Sequence, residues 1–522
     1  MKVTRLMASN NQPSMNIIRI LDIPRMLLLI LFLILVTFLD LSDPDYFWHL
    51  KTGEMIFLNG ALPGHDIFSY TFEGQPWVLH EWLFQLLLYL VHDAFGDAGI
   101  KVMTALMVVL FLYIVFLATS QINRNRGLTA LLVFVASAPI ASFIAPRPQL
   151  ISYILFSLAI LLLIQFKYRQ QTRFLLLLPL MMVLWVNMHG GYIIGIALLV
   201  LFSGCEFASH WKAGSLNAEA RPRLLKLALI TLLTVLSSAL NPDYFSHWLY
   251  PIQVMSMEAA RSLITEWSSP DFQTLSAQCY LLLVVCFFFV YFYRRATLDI
   301  TELVVPVVFI VAGFSAYRHM PFAILSGLPF VVAYLAKGSA VSISGSALGQ
   351  LYRKHIGGGS QIGSGEYVLN WLLVVIVAAG MWLYAPVVGK SHQQDRDATI
   401  PVKATEFVLN TGISGRMFNT YQFGGYLIYR LYPDQKVFID GRADMYGDKF
   451  LIEYMTIYSG GTGWEGDFDK YDIDYVICSR DAPILSKLMR RGDFRLVYDD
   501  EYNSVLLKNR PRHAAIIARY GR

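Results

Sequence analysis

The 522-residue chain is 56% hydrophobic and only 15% charged, with a net charge of +5 and a positive mean hydropathy. A soluble domain carries about a quarter charged residues, so this composition excludes an ordinary cytosolic protein and points to a polytopic membrane protein. Four cysteines without paired spacing give no disulfide framework and no zinc site, and the scattered basic residues argue against a nucleic-acid partner.

The first apolar run leads straight into a polar loop, without a small-residue cleavage site, and reads as a retained first span. Apolar runs recur at roughly 26–41, 98–119, 128–145, 150–166, 174–187, 192–208, 224–240, 277–293, 301–316, 321–336 and 368–388. They predict about eleven spans, several of them short against the ~20 residues a bilayer requires. Basic residues fall in alternate connections (Arg19 and Arg25, Arg124 and Arg126, Lys167 to Arg173, Lys212 to Lys226, Arg294 and Arg295, Arg353 and Lys354), which predicts that these face the cytoplasm. The connections between them hold the acids and histidines and are expected to face the periplasm. The expected architecture is a helical membrane bundle over residues 1–390, with a first outer loop at 40–97 and a flexible Gly/Ser-rich cytoplasmic linker at 337–367. A C-terminal α/β domain over 395–510 is expected on the periplasmic side. In it, helices at 402–411 and 483–490 alternate with β-branched runs at Lys436–Ile439, Tyr475–Cys478 and Ser504–Leu507.

The first outer loop opens Asp43-Pro44-Asp45-Tyr46-Phe47-Trp48-His49-Leu50, followed by Lys51 and Glu54. Proline fixes its own φ and restricts the residue before it, so the two acids sit on stiff backbone, as a general base or a metal ligand requires. The plainer alternative is that Asp43 or Asp45 caps a short helix over FWHLKTGEMIFL. Later in the loop, His80 and Glu81 add a second acid and a second imidazole, whereas Trp77 and Trp82 fit an aromatic belt.

Three short outer connections carry polar groups at span ends: Arg147, Asn187 with His189, and Arg318 with His319. Charge at such positions is costly unless paired or wet, and an arginine fork suits phosphate oxygens. Arg147 and Arg318 are expected to hold a lipid-linked phosphate, with snorkelling or a structural ion pair as the alternative. The long connection NPDYFSHWLYPIQVMSMEAARSLITEWSSPDF supplies Arg261, Glu266 and Trp267 and has the length of a lid. In the C-terminal domain, Asp440, Arg442 and Asp444 of FIDGRADMYGD read as structural turn residues after a strand.

The acidic first loop, the count of spans and the outer α/β domain together resemble the GT-C superfamily of membrane glycosyltransferases, which use polyprenyl-phosphate-linked sugars. The segments DPDYFWHLKTGEMIFLNGALPGHDIFSYTFEGQPWVLHEWL and GRMFNTYQFGGYLIYRLYPDQKVFIDGRADMYGD resemble a bacterial branch of that group more closely. The resemblance implies that Asp43 or Asp45 is the catalytic base or a metal ligand and that Glu81 assists. It also implies inverting transfer of a sugar from a polyprenyl-phosphate donor to a glycan, lipid or protein acceptor on the outer face of the inner membrane. His49, Lys51, Glu54, His80, Arg147, His189, Arg261, Arg318 and His319 are the candidate substrate contacts. No WWDYG-like segment occurs, which disfavours protein N-glycosylation. The Asp43/Asp45 pair permits Mg2+ or Mn2+ without demanding it. Zinc is disfavoured, because no two of His49, His65, His80, His189, His247 and His319 have i, i+4 spacing. A transporter or flippase for lipid-linked glycans, or a non-catalytic assembly subunit, would use the same polar groups for binding alone.

Overall fold

The computed structural model describes residues 21–123, 125–244, 248, 257–294, 299–342 and 364–522. Most of the Gly/Ser-rich stretch, together with Arg19, Arg124, His247, Arg295, Arg353 and Lys354, lies outside the described residues.

Helix α1 (Ile23–Phe38) starts at an Asp22 cap with Pro24 in its first turn. A second helix, α2 (Pro44–Asn59), occupies the first loop and ends on Gly60 in the left-handed region. Next comes α3 (Trp82–Ile122), interrupted at Gly96, whose φ of 60° and ψ of −158° only glycine adopts readily. The break separates a loop-borne segment from the span that follows. The bundle continues with α4 (Arg126–Ala136), α5 (Gln149–Arg169), α6 (Leu177–Met188), α7 (Tyr192–Lys212), α8 (Ala220–Ser237) and the short α9 (Glu258–Leu263). It closes with α10 (Leu275–Arg294), α11 (Ile300–Ser315), α12 (Met320–Ser342) and α13 (Ser364–Thr399). Among the described residues, five helices are long and apolar enough to cross a membrane, and four shorter apolar helices accompany them. The expected eleven spans include such short runs. One of them, 128–145, divides at Ser137 into α4 and a 3-10 turn, Ala138–Phe143, that carries Pro139.

The bundle core gathers on α3, α5 and α12, where Phe111, Phe156, Leu150 and Met320 are nearly or fully buried. In contrast, α13 is largely exposed and leans on α1, with Asn370 Nδ2 donating to the Leu21 carbonyl at 2.8 Å. Leucine and phenylalanine faces left outward on α8, α10 and α13 suit a hydrocarbon surrounding. At the end of α5 far from Arg147, Lys167 pairs with Glu206 at 2.5 Å and with Asp299. There Tyr168 and Tyr334 both donate to Glu302, so α5, α7, α11 and α12 are tied by a satisfied polar network.

Beyond the bundle, α14 (Val402–Thr411) leads into a four-stranded sheet of β1 (Met417–Asn419), β2 (Tyr475–Ser479), β3 (Phe494–Asp499) and β4 (Asn503–Lys508), in the order β1-β2-β4-β3. The β1–β2 pair is parallel and the other two are antiparallel. Helices α15 (Gly424–Leu431), α16 (Ala443–Ser459), α17 (Trp464–Asp469), α18 (Pro483–Arg491) and α19 (Ala514–Tyr520) surround it. The run Lys436–Ile439, expected as a strand, does not join this sheet. Its Val437 exchanges backbone hydrogen bonds with Phe68 and Tyr70 of the first loop, at 3.0 and 3.1 Å, while the Asn419 side chain takes Phe438 N–H. The C-terminal unit and the first loop thereby share one core, containing Trp48, Phe68, Trp77, Leu427 and Val437.

Candidate active site

Asp43 serves as the cap of α2: its Oδ1 accepts the Asp45 N–H at 3.0 Å, while Pro44 fills the first helical position. Its other oxygen, Oδ2, accepts from Arg147 Nε at 2.6 Å. Arg147 NH1 lies 3.3 Å from Asp45 Oδ2 and 3.3 Å from Glu266 Oε1. Three carboxylates therefore converge on one guanidinium, which they hold charged well above its ordinary range despite burial. Asp45 is shifted toward its neutral form. Removal from water pushes its carboxyl up to about 6, with Arg147 and the Trp48 indole N–H (3.0 Å) pulling the other way and Asp43 adding repulsion.

The second acid of the loop behaves in the opposite manner. Glu81 is buried just before α3 with imidazoles from three places around it: His80 Nε2 at 3.5 Å, His49 Nδ1 at 3.6 Å and His189 Nε2 at 3.7 Å. Burial alone would raise its carboxyl, yet His80, followed by His49 and His189, holds it down to about 2. His80 is correspondingly raised against its own desolvation, by Glu81 first and also by Asp444. His49 and His189 are pushed down by burial to about 4 and about 3, so both are neutral. For His189 the hydrogen-bond network assigns the tautomer: Nδ1 accepts the Gly191 N–H at 3.2 Å and lies 2.6 Å from Ser152 Oγ, itself an acceptor for Trp185 Nε1. The proton of the neutral ring is then on Nε2, facing Glu81.

Arg318 reaches the same region from the turn Tyr317–His319. Its guanidinium lies over the Trp267 ring at 4.6 Å, next to the Glu266 that Arg147 holds. Among the described residues no carboxylate pairs with it. His319 beside it is pushed down by burial to about 4. The structure thus brings together Asp43, Asp45, Arg147, Arg318 and His319 around the turn Thr265–Trp267, and Glu81 with His49, His80 and His189. Lys51 and Glu54 instead pair with each other at 2.9 Å along α2. Arg261 is exposed on α9, its carbonyl accepting from Ser268 Oγ.

The C-terminal unit forms one wall of this site, which the turn reading of FIDGRADMYGD missed. Arg442 is 1% exposed; its fork holds Asp440, and NH1 lies 2.8 Å from Asp66 of the first loop, with the guanidinium 4.5 Å above Trp77. Beside it, Gly441 approaches so closely that a Cβ there would stand 2.0 Å from Asp45 Oδ1; a Cβ on Gly425 would stand 2.2 Å from the Pro44 carbonyl. The phenol of Tyr421, kept protonated by burial and by Asp45, donates to the Gly441 carbonyl at 3.1 Å. The detectable signal was Arg442: aspartate and glycine are ordinary turn residues, but an arginine between two aspartates gives a turn no local advantage.

No protein-family model and no curated protein matches the chain. Solved structures do match. The oligosaccharyltransferase of Archaeoglobus fulgidus in its apo form aligns over 87% of this chain and 69% of its own, with 12% identity and a TM-score of 0.56. ArnT from Cupriavidus metallidurans bound to undecaprenyl phosphate aligns over 93% and 97%, with 15% identity and a TM-score of 0.51. The Archaeoglobus enzyme complexed with Zn and sulfate aligns over 93% and 73%, with 12% identity and a TM-score of 0.50. These neighbours are GT-C glycosyltransferases, and the chain has their fold.

Proposed function

On that GT-C fold, we propose that the chain is an inverting glycosyltransferase, moving a sugar from a polyprenyl-phosphate donor to an acceptor hydroxyl or amine at the outer face of the inner membrane. The observation that supports the reading is that one turn, Thr265–Trp267, links a carboxyl raised to about 6 to an arginine free of carboxylates among the described residues: Glu266 shares Arg147 with Asp45, and Trp267 lies under Arg318. Asp45 accepts the acceptor's proton as its oxygen or nitrogen bonds to the anomeric carbon. The bond from that carbon to the phosphate oxygen breaks, and its electron pair leaves with the phosphate. A carboxyl near 6 is ionised at neutral pH yet basic enough to take that proton. Displacement in line needs no enzyme nucleophile, hence inversion.

Arg147, expected from sequence to hold the donor phosphate, is already engaged by three carboxylates, so that task passes to Arg318, whose fork stabilises the charge developing on the departing oxygens. Asp43 acts as a positioning residue, fixing both the helix start and Arg147. Glu81 stays ionised and organises its imidazoles. Support for the donor class comes from the undecaprenyl phosphate held by ArnT, and support for a macromolecular acceptor from the acceptor peptide tethered to the Archaeoglobus enzyme.

Proteoliposomes carrying a panel of radiolabelled polyprenyl-phosphate sugars test the reading. Label should leave the lipid with wild type and remain on it with Arg318→Ala and Asp45→Asn. Label that stays on the lipid but crosses to the other leaflet would establish a transporter instead.

A further inference from the structure

A fold neighbour solved with Zn and sulfate raises the question of a divalent cation, and the Asp43/Asp45 pair is where one would be sought. The residues do not fit one. Mg2+ demands about six oxygen ligands at roughly 2.1 Å in octahedral geometry. Here the carboxylates that would supply them all turn on Arg147, at 2.6 Å for Asp43 and 3.3 Å for both Asp45 and Glu266. Acids from two distant stretches of chain around one positive centre make the donor set of a metal site, with a guanidinium in its middle.

That guanidinium is held in place from both ends. Its backbone N–H is bonded to the Ala145 carbonyl at 2.7 Å, Pro148 follows, and α5 begins at Gln149. Its planar fork engages Asp43 and Asp45 side by side, an arrangement lysine could not reproduce. A dication entering the cluster would have to displace a side chain that three carboxylates hold charged, or sit against it in a partly desolvated site where like-charge repulsion is strong. The histidine cluster offers no alternative seat. His189 presents a protonated Nε2 to Glu81, and with Arg147 in place no three His, Cys, Asp or Glu side chains among the described residues are arranged to hold a metal, the three carboxylates around the guanidinium included.

We propose that Arg147 is the resident cation of this site: it stands where a divalent metal would bridge Asp43, Asp45 and Glu266, and the protein binds no divalent cation there. Positive charge near the base is then covalently attached and cannot be removed by chelation. Glu266 belongs to this arrangement as the third carboxylate, delivered by the turn that also presents Trp267 to Arg318.

The test titrates the purified full-length chain, in nanodiscs of zwitterionic lipid, with Mn2+ and follows the electron paramagnetic resonance of the free ion. Wild type is expected to leave Mn2+ free. Arg147→Ala, which vacates the centre, is expected to take up one equivalent with a dissociation constant of about 10⁻⁴–10⁻³ M, as weak all-oxygen sites do, and a second change, Asp45→Asn, should abolish the uptake. Stoichiometric uptake by folded wild type that Asp45→Asn removes would overturn the proposal. So would a folded Arg147→Ala that takes up none. Should that variant fail to fold, the wild-type titration decides alone. Cation occupancy is read by binding, so it stands or falls separately from the transfer reaction.

Discussion

Burial pushes the carboxyls of both Asp45 and Glu81 up, but their neighbours decide the outcome: Asp45, with a shared arginine and another acid beside it, stays raised, whereas three imidazoles pull Glu81 below its ordinary value. For Asp45 the folded value of about 6 lies above the ordinary 3.8. The stability this contributes is present below about pH 4 and lost as pH rises through 6. Asp45→Asn, which keeps the shape and removes the charge, is therefore expected to unfold at a higher temperature than wild type at pH 8 and at an unchanged one at pH 4; thermal unfolding at the two pH values measures this. For Glu81 the sign is reversed: a value of about 2 against an ordinary 4.5 gives stability above pH 4.5 that is lost as pH falls through 2. Glu81→Ala would leave a raised His80 without its main partner, and breaking a buried pair of this kind costs about 3–5 kcal/mol at pH 7, read by denaturant or thermal melts. Much of this chemistry was legible from residue types: two acids flanking a proline, then His80 and Glu81. The partnerships were not. That Arg147 would meet Asp43, 104 positions away, depends on how α2 and α5 pack, which no local pattern encodes.

At the level of elements, the sequence offered a short helix over FWHLKTGEMIFL capped by Asp43 or Asp45, and the structure forms α2 there, longer at its start and capped by Asp43. What it packs against was not readable. The C-terminal unit abuts its first turn through Gly425 and Gly441, and both contacts leave no room for a methyl group. Gly441→Ala is expected to displace the Asp45 carboxylate and lower transfer far more than it lowers the melting temperature, whereas Gly425→Ala should separate the elements and lower both; activity and thermal melts on the same preparations distinguish them. Arg442→Met tests the tie between the loop and the C-terminal unit. It leaves Asp66 and Asp440, both essentially fully buried, without their cation, with an expected loss of about 3–5 kcal/mol in unfolding free energy. The run Lys436–Ile439 shows why strand patterns mislead here: its β-branched residues are buried against the first loop through one pair of backbone bonds, so composition matches a sheet strand while pairing does not.

For the whole molecule, composition alone separated an apolar helical bundle from a polar C-terminal α/β unit, because hydrocarbon and water select different surfaces. The count of spans was less legible, since the run 128–145, which carries Pro139, looks continuous in hydropathy and divides only when backbone conformation is considered. Asp43, Asp45, Arg147 and Arg318 gather around the turn Thr265–Trp267, with Gly441 of the C-terminal unit against Asp45. In the proposed transfer reaction, Asp45 is the base. The most direct check is the rate at which label leaves a polyprenyl-phosphate sugar between pH 5 and pH 8, for wild type and Asp45→Asn at matched folding. A base at Asp45 gives a wild-type rate that rises through a midpoint near pH 6 and an Asp45→Asn rate lower by about 10²–10⁴-fold at pH 7.5. A wild-type rate independent of pH over this range, or an Asp45→Asn rate equal to it, would mean that Asp45 is not the base.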